Sequence, residues 1–124
     1  GVGASNTAAL AFGGGPPNTT KTETWNGTNW TEVNDMGTAR YALAGAGTQT
    51  AALGFGGYSP TAVTETWNGT NWTELADMNV ARGYLAGAGT NTLALAFGGY
   101  TPAGVTAVTE EFTAGPTTVT FDVS

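Results

Sequence analysis

The chain has 124 residues, nine carboxylates against three basic side chains and a net charge of −6, with neither cysteine nor histidine. Lys21, Arg40 and Arg82 are too few to neutralise a run of phosphates, so neither nucleic acid nor an anionic membrane surface is an expected partner. Without thiols or imidazoles the chain lacks disulfides, the common metal ligands and the usual general base at neutral pH, and no metal or cofactor is expected.

Twenty glycines would suit a disordered chain, but the aromatic residues recur at fixed intervals, which marks a folded repeat protein. In chain order, SNTAALAFGG at 5–14 anticipates TNTLALAFGG at 90–99. TETWNGTNWTEVNDM at 22–36 recurs at 64–78 with only Val33/Leu75 and Asn34/Ala76 changed. LAGAGTQTAALGFGGY at 43–58 returns 42 residues later as LAGAGTNTLALAFGGY at 85–100, and VTEEF at 108–112 is a divergent copy of VTETW at 63–67. Three units follow, with approximate boundaries 1–36, 37–78 and 79–124, forming a single domain.

Each unit divides into four short strands. LAGAG supplies a small-residue strand that tolerates close backbone approach, as an innermost strand near an axis must. In the next strand Leu93, Leu95 and Phe97 alternate with Ala94 and Ala96. Both faces are apolar, one bulky and one small, which suits a sheet covered on both sides by like sheets. Gly56-Gly57 and Gly98-Gly99 end these strands. Asn26-Gly27 and Asn68-Gly69 have the composition of two-residue type I′ hairpin turns. That register predicts Trp25 opposite Thr28 and Glu23 opposite Trp30, with the two tryptophans packing diagonally on one face. At the end of the chain, Gly115-Pro116 precedes TTVTFDVS at 117–124, where Val119, Phe121 and Val123 alternate. This predicts the fourth strand of the last unit, or a strand pairing with a partner. No helical period occurs, and the chain is expected to be all-β.

A glycine pair, a strand with an aromatic residue, a tryptophan, then a methionine followed by an arginine resembles the kelch repeat. The positions are Gly56-Gly57, Trp67, Trp72, Met78 and Arg82, and one unit earlier Gly13-Gly14, Trp25, Trp30, Met36 and Arg40. The resemblance implies a β-propeller with three four-stranded blades in this chain. The departures are a tryptophan at 25 and 67 where kelch repeats usually carry tyrosine, a shorter hairpin and a short unit. Thr/Asn/Gly-rich, nearly identical units are also similar to repeat arrays of viral and environmental bacterial surface proteins, which implies an extracellular or virion-surface location. Asn18, Asn26, Asn29, Asn68 and Asn71 begin N-x-T sequons, here read as turn chemistry.

A propeller closes because each blade covers the next, and it typically has four to eight blades. Three blades leave two apolar faces; at roughly 400 Å² each and about 25 cal/mol/Å², their exposure represents about 20 kcal/mol. That exceeds the stability of most domains. The expected remedy is a two-fold homodimer forming one six-bladed ring, or further blades of a longer chain.

Candidate functional residues are few. Glu23, Glu65 and Glu110, with Glu32 and Glu74, recur by unit, and a carboxylate copied into every unit serves the fold more readily than catalysis, which needs two acids in different environments. No catalytic residue is expected. Arg40 and Arg82 are candidates for binding an anion, or for pairing with a blade carboxylate and backbone carbonyls. Trp25, Trp30, Trp67, Trp72 and Tyr84 can stack on sugar rings or form the core between blades. Tyr58 and Tyr100 stand in loops beside Ser59-Pro60 and Thr101-Pro102, where a propeller presents its ligand contacts. The expected function is a non-enzymatic binding module for a glycan or a protein; the rival is a self-assembling repeat piece without a ligand of its own.

Overall fold

The computed structural model describes residues 1–114 and 119–123, and among these every regular element is a strand. The first sheet joins β1 (Val2–Ser5), β2 (Ala8–Phe12), β3 (Thr22–Trp25) and β4 (Trp30–Val33) in chain order. The middle sheet repeats the plan with β5 (Ala44–Gly47), β6 (Ala52–Phe55), β7 (Thr64–Trp67) and β8 (Trp72–Glu74). In the third sheet β9 (Ala86–Gly89), β10 (Leu93–Phe97), β13 (Thr109–Ala114) and β14 (Val119–Val123) do the same. A small hairpin of β11 (Tyr100–Thr101) and β12 (Gly104–Val105) interrupts its second and third strands. All ladders are antiparallel, so the fold is all-β and built from propeller-like blades. β14 pairs with β13, placing Phe121 opposite Phe112 inside the third sheet. Gly115-Pro116 lies outside the described residues.

The alternation of large and small residues dictates the stacking. Leu10 and Phe12 leave the first sheet on its bulky face and press onto the small face of the middle one, in a core with Met36, Ala52 and Trp67. Leu53 and Phe55 repeat this against the third sheet, among Ala94, Ala96 and Phe112. Fully burying a side chain of this size contributes about 1.5–3 kcal/mol. Small residues opposite are a geometric necessity. A Cβ on Gly45 would lie 2.7 Å from the Phe12 ring, and one on Gly87 would overlap the Phe55 ring. The innermost strands β5 and β9 lie side by side, as crowding around an axis requires.

The hairpin register differs from the sequence expectation. Trp25 stands opposite Trp30, and Glu23 opposite Glu32; Trp67 faces Trp72 in the same way. The loop therefore spans residues 26–29, not two residues. Asn26 sets it: its side-chain Oδ1 accepts from the backbone N–H of Thr28 at 2.9 Å and of Asn29 at 2.8 Å. Asn68 does the same for Thr70 and Asn71. An asparagine that satisfies two amides competes with the tight turn. The tryptophans still share a face, but as direct cross-strand neighbours with ring centroids 5.4 Å and 5.5 Å apart.

Candidate functional site

Arg40 and Arg82 lie on the segments connecting one sheet to the next, and each is drawn into the sheet that follows. Arg40 donates to the carbonyls of Gly54, Gly56 and Val63 and to Glu65 Oε2 at 3.0 Å. Arg82 donates to Ala96, Gly98 and Val108 and to Glu110 Oε2 at 2.9 Å. Both ion pairs are fully buried. Burial lowers the pKa of Arg40 from its ordinary value, with Glu65 pulling the other way; a guanidinium stays charged regardless. The other oxygen of each carboxylate accepts a backbone N–H at the start of the same connector, from Gly37 and from Asn79, both at 2.6 Å. Carboxylate and carbonyls thus hold each arginine together, and neither guanidinium faces solvent.

The tryptophans are likewise occupied by the fold. Trp25 Nε1 donates to the Asn6 carbonyl and Trp67 Nε1 to that of Gln49, each closing the turn of its own sheet. Trp72 reaches across to the first sheet, where it packs edge-on against Phe12 at 4.9 Å and donates to Thr22 Oγ1. Trp30, its counterpart in the first sheet, is 49% exposed.

The tyrosines do something the sequence reading did not foresee. Tyr58 pairs through its backbone with Tyr41, and Tyr84 enters the same group from the next connector. Their rings form a cluster with centroids 5.6 Å (Tyr41–Tyr58), 5.6 Å (Tyr58–Tyr84) and 6.3 Å (Tyr41–Tyr84) apart. Tyr84 is 63% exposed although it stands in the left-handed region, at φ 53°. That conformation costs about 1–2 kcal/mol for a residue with a side chain, and Ala42 at the equivalent place adopts it too, at φ 55°. The backbone of the connector therefore imposes it, and the Tyr84 N–H closes the geometry by donating to the Ala42 carbonyl at 2.8 Å. Desolvation, and secondarily the neighbouring Tyr84, hold the Tyr41 phenol above its ordinary pKa.

Tyr100 occupies the place of Tyr58 one unit later, with its backbone bridged to Gly83. Because glycine stands there instead of a second Tyr41, Tyr100 meets no ring across that bridge and is 46% exposed. A reading by recurrence passes over Tyr41, because Gly83 stands at the equivalent place one unit later. Among the described residues no group of acids is arranged to hold a metal ion.

No family model matches the sequence, and neither does any curated protein. Among solved structures, that of YjhT superposes on 94% of this chain with a TM-score of 0.75 at 13% identity. The match takes in 45% of YjhT, so the chain spans under half the length of this neighbour. The likeness is one of fold, a β-propeller-like array of four-stranded sheets.

Proposed function

We propose that the chain is a non-enzymatic binding stretch of a kelch-like β-propeller that presents its tyrosine-bearing end to a glycan or a protein, at an extracellular or virion surface. The observation that carries this reading is the Tyr41–Tyr58–Tyr84 cluster: two exposed rings, Tyr58 and Tyr84, packed on the half-buried Tyr41, with Tyr84 in a strained backbone conformation. Strain of that kind gathers where a protein meets ligands, and aromatic side chains offer contact area at little entropic cost. By contrast Arg40, Arg82, Glu65 and Glu110, the buried charged side chains among the described residues, are committed to each other inside the blades. Further blades cover the two end faces, supplied by a second copy in a six-bladed ring or by a longer chain.

A glycan array probed with the chain and with Tyr84→Ala tests the reading. The expected result is a restricted set of bound glycans lost in the variant. Uniform silence, together with silence toward protein candidates, would favour the rival, a self-assembling repeat piece with no ligand.

A further inference from the structure

The three sheets carry the same receptor for an arginine-bearing connector, and only two are served by this chain. In the middle sheet, Gly54 pairs with Glu65 and the Gly56 N–H donates to the Val63 carbonyl. This frame is the one that Arg40 enters. In the third sheet the frame is Ala96 paired with Glu110, with Gly98 donating to Val108, and Arg82 enters it. The first sheet repeats it in Ala11 paired with Glu23 and Gly13 donating to Lys21 at 3.0 Å. Yet Glu23 is exposed where Glu65 and Glu110 are buried, and no basic group among the described residues pairs with it.

The opposite end shows the other half of the pattern. A Cβ on Gly13 would meet Met36 and the Arg40 carbonyl, and one on Gly56 would meet Met78 and the Arg82 carbonyl. On Gly98 it would meet only the Thr106 carbonyl, at 4.0 Å. The sheet faces at the two ends match as well. Leu93, Leu95 and Phe97 stand exposed on the bulky face of the third sheet, where Leu93 and Leu95 line a groove of about 440 Å³. Ala9, Ala11 and Trp30 line one of about 450 Å³ on the small face of the first. They are counterparts of the surfaces that interlock between the sheets within the chain.

We infer that Glu23 and the carbonyls around it are a binding site for the arginine of a further Met-x-x-x-Arg connector of this repeat type, the segment that joins a preceding blade to the first sheet. Met36-to-Arg40 and Met78-to-Arg82 are the two examples within the chain. The site recognises a guanidinium by a carboxylate and a fan of carbonyls, and it makes the partner of this face a further unit of the same array. A second copy docking its third sheet here would cover the apolar groove without bringing an arginine to Glu23. The inference rests on the reading that further blades cover the end faces.

A synthetic peptide with the sequence of residues 76–85, titrated into the whole chain and followed by amide chemical shifts, tests it. Saturable shifts centred on Gly13, Lys21 and Glu23 are expected. Affinity should fall at least tenfold with Glu23→Gln in the chain, or with arginine replaced by glutamine in the peptide. Because Glu23 is exposed, the variant should melt where the parent does. Binding that ignores either substitution, or no binding, overturns the connector. The mass in solution separates the two failures. An assembled chain indifferent to the peptide loses only the connector, whereas a lone monomer indifferent to it also loses the second copy as the cover of the end faces.

Discussion

The middle sheet and its two neighbours are built from almost the same sequence and live in different surroundings. Every residue of β6 is buried, whereas in β10 burial alternates, with Leu93, Leu95 and Phe97 outside and Ala94 and Ala96 inside. Phe55 is 1% exposed and Phe97, its copy 42 residues on, is 39% exposed. Glu65 is sealed with Arg40 while Glu23 meets water. The difference teaches that a repeat unit here does not own its core. Each core lies between units, half of it contributed by the bulky face of one sheet and half by the small face of the next.

The sharpest way to break this comparison is to remove the same charge from both settings. Glu65→Gln should cost about 3–5 kcal/mol in chemical denaturation, because it leaves the buried Arg40 guanidinium without its counter-charge. Glu23→Gln should fall within about 0.5 kcal/mol of the parent, as exposed substitutions usually do. Equal losses would mean that Glu23 is already covered in solution.

Next in size is the pair Leu53→Ala and Leu95→Ala. Leu53 is completely buried, and its truncation should cost about 2–5 kcal/mol. Leu95, at 40% exposure, should lose less than half of that when the chain is alone. If the end faces meet further blades, the two losses converge, and the loss at Leu95 then depends on protein concentration where a second copy is the cover.

Much of this architecture is legible in the sequence, for one reason: near-identical repeats expose which residues must do the same job. The four-strand unit, the two unlike faces of Leu93–Phe97 and the absence of helix follow from spacing and alternation. The hairpin register did not, because Asn-Gly composition names a turn without revealing that the asparagine side chain will take two amides and lengthen it. Arg40 and Arg82 left two roles open, since a sequence shows that an arginine recurs but not which carboxylate lies across the next sheet, 25 and 28 residues away. The tyrosine cluster was hidden for the opposite reason. It is where the units differ, with Tyr41 replaced by Gly83 and Ala42 by Tyr84, and a search for recurrence passes over it.

A smaller effect separates what is local to a unit from what belongs to the stacking. Asn26→Ala and Asn68→Ala each remove one acceptor of two backbone N–H groups, and each should cost about 1 kcal/mol. Both loops are exposed, and the two asparagines accept the same pair of N–H groups. The Thr70 carbonyl and Asn71 Oδ1 also accept from Asn34 Nδ2 at the end of the first sheet, so the larger loss is expected at Asn68. Equal losses in parallel denaturation curves would show that the turns are independent of the stacking.

The smallest expected effect lies at the tyrosine end, where units diverge instead of repeating. The Tyr41 phenol is held above its ordinary pKa, first by desolvation and then by Tyr84. A raised phenol pKa means that the folded chain keeps its proton after the unfolded chain has lost it. The contribution to stability is therefore intact below pH about 10 and declines as pH rises beyond it. In a spectrophotometric titration of tyrosinate, the Tyr41 step should come later than that of an ordinary phenol. Tyr84→Phe should bring that step down only part of the way, because desolvation is the leading cause and the phenylalanine ring still covers Tyr41. A complete return to the ordinary value would assign the shift to the hydroxyl alone. No change would mean that the two rings are not in contact in solution, and the cluster that carries the binding reading would lose one of its members.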